Sequence, residues 1–150
     1  MKKDVASLFS KITYQEYLNR EIKNKLENYG YKLISTRGVD RLVFRKNEYV
    51  IKVARNRHKV DMNYDESAFW NQNKNKKLFC PVTDNCPHYT WIEMPYCNES
   101  PGEFRKYENK IKESIWNIPD LHPDNIGRLK GTSELVCFDY PDAMKIEIKE

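Results

Sequence analysis

A chain of 150 residues, 39% hydrophobic and 32% charged, has the size of one domain and can bury a core. An aromatic share of 13% excludes a disordered chain, because that much ring surface needs burial. The net charge of +4, from 26 basic and 22 acidic residues, does not demand a nucleic-acid partner and suits a nucleotide phosphate equally well.

No apolar run approaches the ~20 residues of a membrane span, and the opening MKKDVASLFSKITYQ lacks an apolar signal core. The expected location is therefore the cytoplasm, without a membrane partner. There the four cysteines, Cys80, Cys86, Cys97 and Cys137, are expected to be free thiols.

Residues 13–29 read as a helix, with Thr13 and Glu16 as a capping box, a stripe of Tyr14, Tyr17, Leu18, Ile22, Leu26 and Tyr29, and Gly30 as the stop. A strand follows at 31–35 and a turn at 37–40. Strands Arg41–Arg45 and Glu48–Ala54 are joined at Lys46-Asn47 as a hairpin. The pattern returns to helix over Asn63–Gln72. KLFCPV (77–82) and HYTWIEM (88–94) are the next strand candidates, broken apart at Asn85-Cys86-Pro87. Ser100, Pro101 and Glu103 open a helix that runs to about Trp116, with a stripe of Phe104, Tyr107, Ile111 and Ile115. The loop DLHPDN (120–125), a strand Ile126–Leu129, a turn at Lys130-Gly131 and a strand Glu134–Phe138 complete an α+β arrangement.

Five polar residues stand out by the elements that carry them. Phosphoryl transfer asks a protein to neutralise and position a triphosphate rather than to do covalent chemistry. Lys52, in the strand YVIKVA, can hold phosphates if a carboxylate pins its ammonium. Glu66, fourteen residues later on the next helix, is placed to do so. Asn125 and Asp139 offer hard oxygens for magnesium, and Asp120 can orient an acceptor hydroxyl and take its proton.

This ordered set resembles the protein-kinase superfold. DLHPDN is similar to the DLHPxN catalytic loop of aminoglycoside phosphotransferases and related small-molecule and atypical kinases. YVIKVA resembles the strand of the ATP-anchoring lysine, and FDY (138–140) stands where Asp-Phe-Gly usually stands. GVDRLVFRKNEYVIKVARN with DESAFW is similar to short kinase-like proteins of phages and prophages. The resemblance spans about residues 31–140 and implies one minimal kinase-like domain over 1–150. Its parts would be a helix at 13–29, an N-lobe at 30–97 with a near-complete antiparallel sheet, and a strongly reduced C-lobe at 98–150. ATP and Mg²⁺ are the implied cofactors. Lys52, Glu66, Asp120, Asn125 and Asp139 inherit catalytic roles, with Asn125 and Asp139 on the metal. Lys52, Gly38, Arg41, Met94, Tyr96 and Cys97 would contact the nucleotide, with Met94–Cys97 as the hinge that grips adenine.

The chain also departs from that pattern. Gly38 is a single glycine where the phosphate-covering loop usually has three, with Arg37 and Arg41 offering charge instead. Ile118 replaces the histidine two positions before Asp120, and Asp139 is followed by Tyr140 and Pro141. Eleven residues after Asp139 leave no room for an activation segment. The expected activity is transfer of the ATP γ-phosphate to a hydroxyl, on a protein rather than a small molecule. The alternative is a pseudokinase or phage-encoded module that binds a host protein without transfer, and self-association remains open.

Plainer readings accompany each residue. Lys52 alone is an outward edge lysine, Glu66 alone a solvated helix residue, and Asp120 and Asp124 turn formers. His122 braces the loop or touches a phosphate. Cys80, Cys86, His88 and Cys97 lack the tight pairs usual for zinc. Lys74, Lys76 and Lys77 read as a solvated helix end, with nucleic acid as the weaker alternative.

Overall fold

Alternation along one hydrophobic strand sets the architecture. Tyr49–Ala54 sends Ile51 and Val53 to one side and Val50 and Lys52 to the other, as the pleat requires. In the computed structural model, which describes residues 20–35, 41–55 and 59–149, this strand is the middle of a five-stranded antiparallel sheet. Its members are β1 (Lys32–Ser35), β2 (Arg41–Lys46), β3 (Tyr49–Ala54), β4 (Asp84–Asn85) and β5 (Trp91–Pro95), in the order β1-β2-β3-β5-β4. A two-residue loop joins β2 to β3, with Asn47 at φ +55°, a value that asparagine tolerates better than most residues.

Helix α1 (Arg20–Asn28) precedes the sheet, and residues 13–19 of the predicted helix lie outside the described residues. Its end is a Schellman turn in which Tyr31 N–H bonds Leu26 O and Gly30 N–H bonds Glu27 O. Gly30 takes φ +93° there, which a side chain would resist. Leu26 is fully buried with Tyr31, Phe44, Ile51, Val53 and Trp91, whereas Tyr29 of the predicted stripe is exposed.

The opposite face of the sheet meets α2 (Val60–Asn73) and a second core. After α2 the chain runs through a short turn at Lys74–Lys76, with Lys74 exposed and Lys76 half-buried. The strand predicted at 77–82 does not form. Lys77 is left-handed at φ +54° and Pro81 has no N–H to give, so only Phe79 bridges Cys137. Leu78, Phe79 and Cys80 are buried all the same.

Beyond β5 the chain crosses at Tyr96 into a second, three-stranded antiparallel sheet. It contains β6 (Cys97–Glu99), β8 (Ile126–Leu129) and β9 (Glu134–Cys137), in the order β6-β8-β9. Gly127 sits opposite Glu99, and a Cβ there would come within 2.6 Å of Asn98 O, so the close approach of β6 requires glycine. Helix α3 (Phe104–Ile111) is shorter than predicted. Ile115–Asn117 leaves the helix as β7 and pairs with β10 (Glu147–Ile148), where an isoleucine and an aromatic suit a strand. Tyr107, Ile111 and Ile115 are buried as the stripe required. The chain is thus a mixed α/β structure built on antiparallel sheets. No helix among the described residues is long and apolar enough to cross a membrane.

Candidate functional site

A cleft of about 400 Å³ opens between the two sheets, within the usual range for a small-ligand site. The first sheet contributes Arg41, Val50 and Lys52, the crossing contributes Met94, Tyr96 and Cys97, and the second sheet's side contributes Asn125 and Asp139. A depression of about 560 Å³ between α1 and β1 is larger but carries none of the predicted site residues.

Lys52 is no edge lysine. It lies on the central strand, is 4% exposed, and reaches Glu66 Oε1 at 3.2 Å and Oε2 at 3.3 Å. Its ammonium also donates to Phe138 O at 2.6 Å and approaches Asp139 Oδ1 at 3.5 Å. The strand positions it because Ile51 and Val53 anchor the opposite face. Helix α2 supplies Glu66, and the three-residue spacing from Asn63 puts both fully buried polar side chains on one helix face.

Arg41 completes the cluster in a way the sequence did not signal. Expected in a phosphate-covering loop, it is instead 6% exposed at the start of β2 and forks onto Glu66 with two bonds of 2.9 Å. The same guanidinium bonds Asp139 Oδ1 at 2.7 Å and Asn63 Oδ1 at 3.1 Å. Asn63, also missed, donates in turn to Tyr89 O and Thr90 O. Its only sequence signal is the helical spacing to Glu66.

Burial pushes the Glu66 carboxyl up. The facing charges of Arg41 and Lys52, the Arg41 hydrogen bond and the Tyr140 N–H at 2.9 Å outweigh it and bring the group down to about 2. Glu66 is therefore a fixed carboxylate that holds Lys52, Arg41 and the backbone just after Asp139 together. Tyr140 fastens that backbone to the core: its hydroxyl donates to Cys80 O at 2.6 Å, and its ring packs on Phe79 at 5.0 Å.

The DLHPDN loop divides. Asn125 is buried, lines the cleft and donates one Nδ2 hydrogen to Asp120 O at 3.1 Å, which fixes the orientation of the amide and leaves its oxygen as an acceptor. Asp120 itself is exposed, has φ +53°, and is not among the residues that line the cleft, whereas His122 and Asp124 are. Asp139 gives Oδ1 to the two cations and is 40% exposed. An amide oxygen and a carboxylate on one wall suit a hard divalent cation that completes its shell with phosphate and water oxygens. At the crossing, the Tyr96 N–H donates to Glu48 O at 2.7 Å, so that group is not the donor to an adenine. Tyr96 offers its ring, with Arg45 stacked over it at 3.5 Å. Gly38 and Arg37 lie outside the described residues.

The four cysteines are buried and unbridged, with Cys80 and Cys97 in one core and Cys86 in the other. No group of three or more metal-binding His, Cys, Asp or Glu side chains occurs among the described residues.

The fold has a counterpart among solved structures. The crystal structure of choline kinase LicA from Streptococcus pneumoniae matches with a TM-score of 0.51 and 10% identity, over 89% of this chain and 70% of that one. The chain shares its fold with that enzyme. At that identity the likeness speaks for the fold alone. No family model and no curated protein matches the sequence.

Proposed function

We propose that the cleft binds ATP with Mg²⁺ and that the chain transfers the γ-phosphate to a hydroxyl of a protein acceptor. The observation that carries this reading is the convergence of Lys52, Glu66 and Asp139 from three distant segments: Lys52 and Asp139 line one cleft, and the buried Glu66 holds Lys52 from behind it. Lys52, held by Glu66, binds the α/β-phosphates, and Met94, Tyr96 and Cys97 flank the base. Asn125 and Asp139 would hold the magnesium, which would neutralise charge on the phosphates. Asp120, on its loop, takes the proton of the acceptor hydroxyl as the new P–O bond forms and the bond to the diphosphate breaks. Residues 98–150 serve as a shortened second lobe.

A second reading rests on two observations: Arg41 already occupies Asp139, and Asp120 does not line the cleft. These favour a module that binds nucleotide without transferring phosphate. Thermal unfolding with Mg-ATP and label transfer from ATP separate the two. At a hundred times Kd, binding stabilises the fold by about 2.7 kcal/mol, and Lys52→Met abolishes the shift. Transfer to protein or to an added alcohol such as choline, lost in Asp120→Ala and Asp139→Ala, establishes the kinase. A shift without transfer establishes the module, and no shift at all removes both.

A further inference from the structure

Among the buried thiols, Cys80 and Cys97 form a pair. Their sulfurs lie 3.3 Å apart, and both face the Pro95 carbonyl, at 3.5 and 3.9 Å. Cys97 opens β6 and lines the cleft, whereas Cys80 is fully buried behind it. The segment between them holds β4 and β5, and β5 pairs with the strand that carries Lys52. A bond between these sulfurs therefore closes the base of that hairpin onto the crossing between the sheets.

The two thiols are chemically unequal. The hydrogen bond between the two sulfurs lowers Cys97 against the burial that opposes it, and the Lys52 charge adds to the effect. Cys80 is pushed well up by the same hydrogen bond and by burial. An oxidant that enters the cleft meets Cys97 first and finds Cys80 behind it.

We propose that Cys97 and Cys80 form a reversible disulfide that weakens ligand binding in the cleft. With a peroxide as oxidant, the Cys97 thiolate attacks one oxygen, the O–O bond breaks, and the departing hydroxide takes a proton to leave as water. The sulfur of Cys80 then attacks the resulting sulfenic acid, the S–O bond breaks, and a second water leaves with the Cys80 proton. Two thiols lose two electrons and hydrogen peroxide becomes two waters; a dithiol reductant reverses the result. An S–S bond of about 2.0 Å in place of the present separation draws Cys97 away from the cleft wall. The disulfide stands without the nucleotide reading above, and its effect on the cleft rests on that reading.

The test is peroxide treatment of the full chain, alkylation of the remaining thiols, and peptide mapping by mass. The expected product is one Cys80–Cys97 linked peptide, lighter by two hydrogens and lost on treatment with dithiothreitol. Cys80→Ser stops at a dimedone-trappable sulfenic acid on Cys97, and Cys97→Ser forms neither species. The Kd for Mg-ATP rises at least about fivefold in the oxidised protein, the lower end of ordinary coupling between sites. Alkylation of both thiols after peroxide overturns the proposal, as does a link through Cys86 or Cys137, or a Cys80–Cys97 link with unchanged Kd. If the reduced chain binds no nucleotide, the functional reading fails separately, because the peptide map scores the disulfide without it.

Discussion

Glu66→Gln keeps the shape of a fully buried side chain, removes the charge that Arg41 and Lys52 face, and puts an amide N–H group where one carboxylate oxygen accepted their bonds. The size of the loss follows from the native carboxyl. A fall from the ordinary 4.5 to about 2, at 1.36 kcal/mol per tenfold change, corresponds to about 3 kcal/mol. Removing one partner of a buried ion pair costs about 3–5 kcal/mol, which agrees. Because folding lowers this carboxyl, its contribution is complete above pH 4.5 and disappears as the pH falls through about 2. Urea unfolding of both chains across that range is the assay. The expected result is a gap of about 3 kcal/mol at neutral pH that narrows steadily below 4.5. Equal stabilities at neutral pH, or a gap that stays constant through acid, refute the account of Glu66 as the hub.

Two further substitutions probe the geometry. Arg41→Met breaks both 2.9 Å bonds to Glu66 and the contact to Asp139, and should cost more stability in urea than Lys52→Met, whose bonds to Glu66 are 3.2 and 3.3 Å. A larger loss in Lys52→Met would reverse that order and contradict the assignment of Arg41 as the tighter partner. Gly127→Ala drives a Cβ to 2.6 Å from the Asn98 backbone oxygen and should lower stability by about 1–3 kcal/mol. A neutral urea midpoint would mean that β6 does not pack so closely.

Local pattern carried much of this structure. The apolar flanks of Lys52 made its strand legible, and pleat alternation already turned Ile51 and Val53 away from it. Glu66 was legible as a helix residue at a suitable distance, and Asp139 as the end of an apolar strand. Arg41 was not legible in its observed role, because its partners lie 25 and 98 residues away and no local period encodes them. Ile115 shows the same limit from the other side. Its helical stripe was real and its burial correct, but pairing with Ile148 drew it into a strand. At Leu78–Cys80 the burial was readable, while the neighbouring proline and the left-handed Lys77 kept the segment from a regular ladder.

Four charged groups meet at the cleft, Arg41, Lys52 and Asp139 on its lining and Glu66 buried behind them, and they cancel one another. A bare polyanion approaching them finds no surplus of positive charge to draw it inward. A polyanion that arrives already wrapped around a divalent ion brings its own compensation, and that ion can compete with Arg41 for Asp139 while Glu66 and Asn63 keep hold of the guanidinium. On the proposed reading, titration with triphosphate in a chelator should give almost no binding, and magnesium should act as the admission ticket rather than as a later arrival.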